Sequence, residues 1–300
     1  MARESPTKYY DPKAYSRFAN LALVARSVVE GYISGLHRSP MHGYSVEFAE
    51  YREYVPGDDL RHFDWKVFAR SDKRYVKQYQ EETNLVCHLL LDTSASMAYA
   101  SAGISKFDYG CFLAAALCYL MIRQRDSVGL VLFDEAARSR VLPRSSPAHL
   151  MRILDVLQSA SPSGRTGIAA TLLGIANSIK RRGLVVLISD LYDDAEAVMK
   201  ALRRFRHDKH EVIVFNIFDP AELDFPFDGL ISFRDLETGE RIQAMPRAIR
   251  DAYIEQVNAF TAKFRRECSA SLIDYQMVNT SMPYELMLAS YLTHRARTAR

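Results

Sequence analysis

Five oxygen-bearing side chains follow apolar stretches of this 300-residue sequence, and together they could bind a hard divalent cation. The five are Asp92, Ser94, Ser96, Thr166 and Asp190. Carboxylates and hydroxyls are hard donors, which suit Mg²⁺ or Mn²⁺ and do not suit zinc. Because hydroxyls are neutral, they leave the charge of the ion partly uncompensated. Such a site should therefore accept a further carboxylate from a partner.

The pattern Asp-x-Ser-x-Ser has a second interpretation, because a strand end followed by a helix cap produces it as well. Thr166 and Asp190, placed at the matching elements, favour the metal interpretation. No histidine falls within these loops, so no obvious general base stands beside the ion. We predict a non-enzymatic interaction module. The alternative is a metal-dependent hydrolase or phosphatase that uses the same loops, but a dehalogenase-type site needs a second carboxylate where Ser94 stands.

Short apolar runs of strand length alternate with helical segments from residue 85 onward. The main runs are residues 85–91, 127–133, 184–189 and 212–218, with a possible edge strand at 138–142. Runs without polar alternation suit strands that are buried on both faces of a parallel sheet. The order predicts an α/β fold with a doubly wound, mostly parallel sheet of Rossmann type, whose switch point gathers the polar loops.

The chain changes character near residue 83. Residues 11–36 carry apolar side chains at helical spacing, which predicts an amphipathic N-terminal helix. Residues 43–80 are rich in Tyr, Arg and Asp and predict an irregular, β-leaning extension. We therefore divide the chain into residues 1–82, the helix plus extension, and residues 83–300, the α/β domain with a C-terminal helix, strand and helix.

Composition excludes several classes of function. The 39 Lys and Arg residues nearly balance 36 Asp and Glu, and the resulting net charge of +3 argues against a nucleic-acid partner. The longest apolar run, residues 111–122, is shorter than a membrane span and predicts a buried helix. Four cysteines without a Cys-x-x-Cys pair are typical of reduced thiols. With no targeting signal visible, these features predict a cytoplasmic protein without a membrane span.

The spacing of the five oxygen donors resembles the metal-ion-dependent adhesion site of von Willebrand factor A domains. The resemblance implies a von Willebrand A-like fold in which the three hydroxyls touch the ion and the two carboxylates bind it directly or through water. It also implies that the ion captures a carboxylate of a partner. The third loop reads Ser189-Asp190-Leu191, where many of these domains have Thr-Asp-Gly.

A second resemblance centres on residues 57–70. Their sequence, GDDLRHFDWKVFAR, is similar to the bacterial family catalogued as domain of unknown function fifty-eight, and the similarity extends over about residues 43–295. The family implies a MoxR-type AAA+ ATPase as the partner. We predict that Trp65 packs in the fold. Five charged residues of the run are predicted to form an ion-pair network or, alternatively, a partner contact: Asp58, Asp59, Arg61, Asp64 and Arg70.

Overall fold

The structure, a computed structural model, describes residues 21–22, 25–26, 28–30, 51–54, 65–71, 74–77, 85–101, 103–284 and 287–289. The chain divides into two compact units, one of residues 34–84 and one of residues 1–33 together with 85–300. No helix among the described residues is long and apolar enough to cross a membrane.

In the smaller unit, strand β1 (Tyr51–Glu53) pairs antiparallel with strand β2 (Tyr75–Lys77), and helix α1 (Trp65–Ser71) comes between them in the chain. Trp65, the first residue of α1, is 62% exposed, so most of its side chain is not packed in the fold as predicted. Arg70 is exposed in the last turn of α1. The other four residues of the predicted charged network lie outside the described residues, and the network stays a prediction.

The larger unit is built on a six-stranded sheet and a separate hairpin. The strands of the sheet are β3 (Val86–Asp92), β4 (Ser127–Phe133), β5 (Ala137–Arg144), β6 (Leu184–Ser189), β7 (Glu211–Phe218) and β10 (Asp274–Asn279), and the hairpin pairs β8 (Ile231–Arg234) with β9 (Arg241–Ala244). The sheet order is β10-β7-β6-β3-β4-β5. Only the edge strand β5 runs antiparallel to its neighbour. The predicted doubly wound, mostly parallel α/β sheet is confirmed.

Helices cover both faces of this sheet. They are α2 (Lys106–Arg123), α3 (Pro147–Ser159), α4 (Ile168–Ser178), α5 (Ala195–His207), α6 (Pro220–Asp224) and α7 (Pro246–Ala270). Successive residues of a strand point to opposite faces, so Leu89 and Leu91 pack with α2 while Leu90 packs with α4 and α5. The four central strands β3, β4, β6 and β7 are largely apolar along their length because both of their faces are buried.

Helix α2 is the buried helix that the sequence predicts. Its N-cap is Ser105, whose side chain accepts a hydrogen bond from the backbone N–H of Asp108 at 3.0 Å. This cap fixes where the helix begins and therefore where Lys106, its first residue, is placed. The described residues of the predicted N-terminal helix are also helical, and Ala25 and Val29 are buried in the same core cluster as α2.

Gly183 lies just before β6, where a side chain would collide with backbone. A Cβ atom placed on Gly183 meets the carbonyl oxygen of Val86, which cannot rotate away. We expect Gly183→Ala to lower the free energy of unfolding by about 1–3 kcal/mol, the usual cost of overpacking. Gly174, in the exposed interior of α4, has no atom within 4 Å of such a Cβ. Gly174→Ala should raise stability by about 1 kcal/mol, because alanine is the better helix former.

Urea unfolding of the two glycine variants beside the wild type measures this contrast. Shifts of the same sign in both variants would contradict the packing at the entrance of β6.

Candidate metal centre

Strands β3 and β6 are neighbours in the sheet although β4 and β5 separate them in the chain. From β3 the chain winds outward to one edge, and from β6 it winds outward to the other. This is the topological switch point, where loops from the carboxyl ends of parallel strands form a ligand site. Asp92 is the last residue of β3, Asp190 directly follows β6, and both side chains are fully buried.

Asp92 is held by two hydrogen bonds from neighbouring loops. Its Oδ1 accepts the backbone N–H of Ser94 at 2.8 Å, and its Oδ2 accepts the hydroxyl of Ser189 at 2.6 Å. The Ser94 and Ser96 hydroxyls lie 3.0 Å apart. Burial, and after it the charge of Asp190, raises the pKa of Asp92 to about 7. Among the described residues Asp92 has no cationic partner, so it lies in a place where a bound cation would be stabilised.

The loop that carries Thr166 lies against the loop that follows β3. The backbone N–H of Ser163 donates to the carbonyl of Thr93 at 2.8 Å, and the N–H of Ala95 donates to the carbonyl of Gly164 at 3.1 Å. These two bonds fix the separation of the loops. They hold the loop that carries Thr166 against the segment that carries the two serine hydroxyls.

Both polar groups of Thr166 face Glu237, a residue that the sequence analysis did not single out. The backbone N–H of Thr166 donates to Glu237 Oε2 at 3.1 Å, and its hydroxyl donates to Oε1 of the same carboxylate. A hydroxyl carries one proton and two lone pairs. Donation to Glu237 therefore leaves Thr166 with lone pairs for a cation, and the contact places a carboxylate beside a predicted ligand.

Asp190 is paired with a fully buried lysine. The Lys106 ammonium donates to Asp190 Oδ2 at 2.8 Å and to Glu222 Oε1 at 2.7 Å, and it lies 4.7 Å from the ring centroid of Tyr192. Burial alone would lower the pKa of Lys106, but Asp190 and Glu222 outweigh it and raise the pKa. The negative charge of Asp190 is therefore already partly compensated by Lys106 before any cation binds. The sequence offered one signal of this contact, because a lysine in the first turn of a helix is unfavourable for the helix dipole.

The third loop turns through a left-handed residue. Leu191 has φ of +59°, a backbone conformation that costs about 1–2 kcal/mol for a residue with a Cβ atom. Its side chain is fully buried in the core beside α4 and α5, and this burial offsets the strain. Its N–H donates to the Ser189 hydroxyl at 3.0 Å, and that hydroxyl in turn donates to Asp92. Leu191 thus adopts a left-handed backbone conformation that glycine adopts without strain.

The described residues contain no group of three or more His, Cys, Asp or Glu side chains arranged to hold a metal ion. The predicted ligand set does not call for such a group, since it combines two carboxylates with three hydroxyls. Asp92 contacts Ser94, and the Ser94 hydroxyl contacts that of Ser96. Asp190 lies close enough to raise the pKa of Asp92, and Thr166 lies on the adjoining loop. Hard oxygen donors around a buried carboxylate fit Mg²⁺ or Mn²⁺.

Two curated relatives have no described function. The uncharacterized protein Rv1480 of Mycobacterium tuberculosis is 29% identical over 270 residues, which cover 88% of this chain and 84% of that protein. The uncharacterized protein Mb1516 of Mycobacterium bovis is 29% identical over the same shares of the two chains.

Comparison with solved structures finds similar chains. The conserved hypothetical protein BatB of Bacteroides thetaiotaomicron has a TM-score of 0.50 at 17% identity and covers 71% of this chain and 99% of that chain. The SpRpn10 von Willebrand A domain has a TM-score of 0.40 at 11% identity, with coverage of 69% and 94%. The strand order of the sheet confirms the predicted α/β fold class with a mostly parallel sheet. The family described as "Protein of unknown function DUF58" matches residues 50–263, more than two thirds of the chain, and the chain belongs to that family.

Proposed function

We propose that the chain is a non-enzymatic protein-interaction module in which a Mg²⁺ or Mn²⁺ ion captures a carboxylate of a partner. The ion would be held by Asp92, Ser94, Ser96, Thr166 and Asp190. The observation that carries the proposal is Asp92, which is fully buried, accepts hydrogen bonds and has no cationic partner in the described part of the chain. A divalent ion supplies the missing positive charge. Because Lys106 already compensates part of the charge of Asp190, the ion would retain positive charge for a further carboxylate.

We propose a MoxR-type AAA+ ATPase as the partner. The support is the similarity of residues 57–70 to the family and the character of the surface beside the site. Among described residues, five of the nine exposed large apolar side chains lie within residues 230–249: Leu230, Leu236, Ile242, Met245 and Ile249. The hairpin of this segment reaches the site through Glu237. Apolar surface beside a charged centre is typical of a docking face. The cytoplasmic location stays a prediction.

Removing the ion or its ligands should weaken binding of the ATPase. We expect the wild type to bind the MoxR-type ATPase of the same organism in Mg²⁺, and to lose about tenfold or more in affinity in EDTA, because the captured carboxylate loses its counter-charge. Ser94→Ala with Ser96→Ala should cause a similar loss in Mg²⁺. Biolayer interferometry with purified proteins measures these affinities.

The matched control for these variants is Ser159→Ala. Ser159 is exposed at the end of α3 and its hydroxyl donates only to a carbonyl of its own helix among the contacts described. Its affinity should equal that of the wild type. Equal affinities for all variants, with and without EDTA, would contradict ion-mediated capture.

The hydrolase or phosphatase alternative has one observation in its favour, the pKa of Asp92 near 7, a range in which general bases work. Against it, the Asp92 side chain is fully buried and both of its oxygens already accept hydrogen bonds. Turnover of p-nitrophenyl phosphate in Mg²⁺ tests it. Turnover that disappears in Asp92→Asn would replace the interaction module with a hydrolase.

A further inference from the structure

Glu237 contacts the candidate metal centre in the way that we propose for the carboxylate of a partner. It is 71 residues away from Thr166 in the sequence, yet its two carboxylate oxygens accept the N–H and the O–H of that residue. The two donors of Thr166 hold the carboxylate of Glu237 in a defined orientation. Two hydrogen bonds to a charged carboxylate are together stronger than one hydrogen bond between neutral groups. The contact is made at a hydroxyl that we propose as a ligand of the ion.

Hydrogen bonds within the turn between β8 and β9 fix the position of Glu237. Asp235 Oδ1 accepts the backbone N–H groups of Glu237 at 2.7 Å and Thr238 at 3.1 Å, and the N–H of Asp235 donates to the carbonyl of Glu240 at 2.9 Å. Gly239 closes the turn with φ of +76°. These bonds hold the segment between β8 and β9 in a single local conformation, with the Glu237 side chain directed at Thr166.

Aromatic side chains anchor strand β8 close to the turn of the hairpin. Phe233 of β8 stacks on Phe225, with ring centroids 5.7 Å apart, and meets the edge of Phe227 at 5.5 Å. Phe225 also stacks on Tyr253 of α7 at 4.3 Å. Aromatic pairs of this kind each contribute about 0.5–1.5 kcal/mol beyond their buried area. Strand β8 is therefore fixed by these rings, and the turn that follows it contacts Thr166 through Glu237.

The charges of the candidate site indicate why Glu237 would stabilise a bound cation. Lys106 compensates part of the charge of Asp190 and Glu222, which leaves Asp92 as the uncompensated carboxylate of the predicted ligand set. A divalent cation beside Asp92 attracts a second negative charge. Glu237 supplies one from within the chain.

We propose that Glu237 is an internal carboxylate of the cation site, which fills the position that a partner's carboxylate takes. The inference rests on the proposed function. A partner then binds by displacing Glu237 from Thr166, and the turn between β8 and β9, which carries Glu237 and the exposed Leu236, is the element that moves. The chain thus carries its own competitor, and a partner must supply a better-placed carboxylate together with apolar contacts.

Mn²⁺ titration of the metal-free full chain by calorimetry tests this proposal. Glu237→Ala should weaken Mn²⁺ binding by about tenfold or more, because a carboxylate beside the ion is lost. Excess sodium acetate should restore part of that affinity by filling the vacated position, whereas sodium chloride at equal ionic strength should not. The wild type, whose position is filled, should not gain affinity from acetate. Glu237→Gln keeps the size of the side chain and should also weaken binding.

Glu240→Ala is the matched control, since Glu240 is an exposed glutamate of the same turn. It should bind Mn²⁺ like the wild type. Hydrogen–deuterium exchange of residues 231–244 gives a second readout: exchange should quicken in Glu237→Ala and stay unchanged in Glu240→Ala. Equal Mn²⁺ binding by the wild type and Glu237→Ala, or a failure of acetate to restore binding, would show that Glu237 is not the internal carboxylate. Either result would leave the proposed cation site itself intact. If the wild type itself does not bind Mn²⁺, the proposed function falls as well.

Discussion

Lys106→Met is expected to lower the free energy of unfolding by about 3–5 kcal/mol, the usual result of removing one partner from a buried ion pair. The lysine is fully buried and its ammonium contacts both Asp190 and Glu222. Methionine has a similar length and fills the space, but it leaves two buried carboxylates without a cation. Urea unfolding of the metal-free protein measures the loss.

Two further variants identify the cause of that loss. Lys263→Met removes a lysine of α7 whose contact with Glu196 is 3.8 Å long and exposed, so it should change stability by less than about 1 kcal/mol. Adding Asp190→Asn and Glu222→Gln to Lys106→Met removes the unpaired charges and should recover much of the stability. If Lys106→Met alone unfolds within about 1 kcal/mol of the wild type, the buried ion pairs are not as described.

The second large effect is a loss of stability with rising pH in the metal-free protein. The pKa of Asp92 is raised to about 7 in the folded chain, whereas an unfolded aspartate has a pKa near ~3.9. Between these values the folded state retains a proton that the unfolded state releases. The contribution of Asp92 is therefore fully present below pH ~4 and is lost as pH rises through about 7, by up to about 4 kcal/mol.

The difference between the wild type and Asp92→Asn isolates this contribution. Other groups titrate in the same range, among them His88, whose pKa burial lowers to about 4, and they act equally in both proteins. Urea unfolding from about pH 5 to pH 8 should show the wild type losing stability relative to Asp92→Asn. Saturating Mg²⁺ should flatten the curve, because the ion keeps Asp92 ionised. Parallel curves for the two metal-free proteins would contradict the uncompensated burial of Asp92.

The sheet could be predicted from sequence because each central strand is buried on both faces. The predicted strand at residues 184–189 matches β6, and the run at 85–91 differs from β3 by one residue at each end. The β8–β9 hairpin was not predicted. Its strands have four residues each and are largely exposed, so the alternation of Ile231 and Phe233 in β8 is too short to predict a strand. Helix α3 was also missed, although Ser146 caps it and Pro147 opens it, both ordinary start signals.

Part of the candidate site could likewise be predicted from the sequence, and part of it could not. The positions of Asp92 and Asp190 follow from the ends of two neighbouring strands, which the chain order of a doubly wound sheet makes predictable. Lys106 and Glu237 reach the site from 84 and 71 residues away from their partners Asp190 and Thr166. Contacts of this kind depend on packing between distant elements. A local pattern of residue types does not encode them.

Calorimetric titration of Mg²⁺ and Mn²⁺ into the metal-free wild type and into Asp92→Asn tests the cation site most directly. Asp92 is preferred to Asp190 for this purpose, since replacing Asp190 would also leave Lys106 with one carboxylate fewer. The account predicts one ion bound per chain in the wild type and binding weakened by about tenfold or more in Asp92→Asn. Equal binding by the two proteins, or no binding by the wild type, would contradict it.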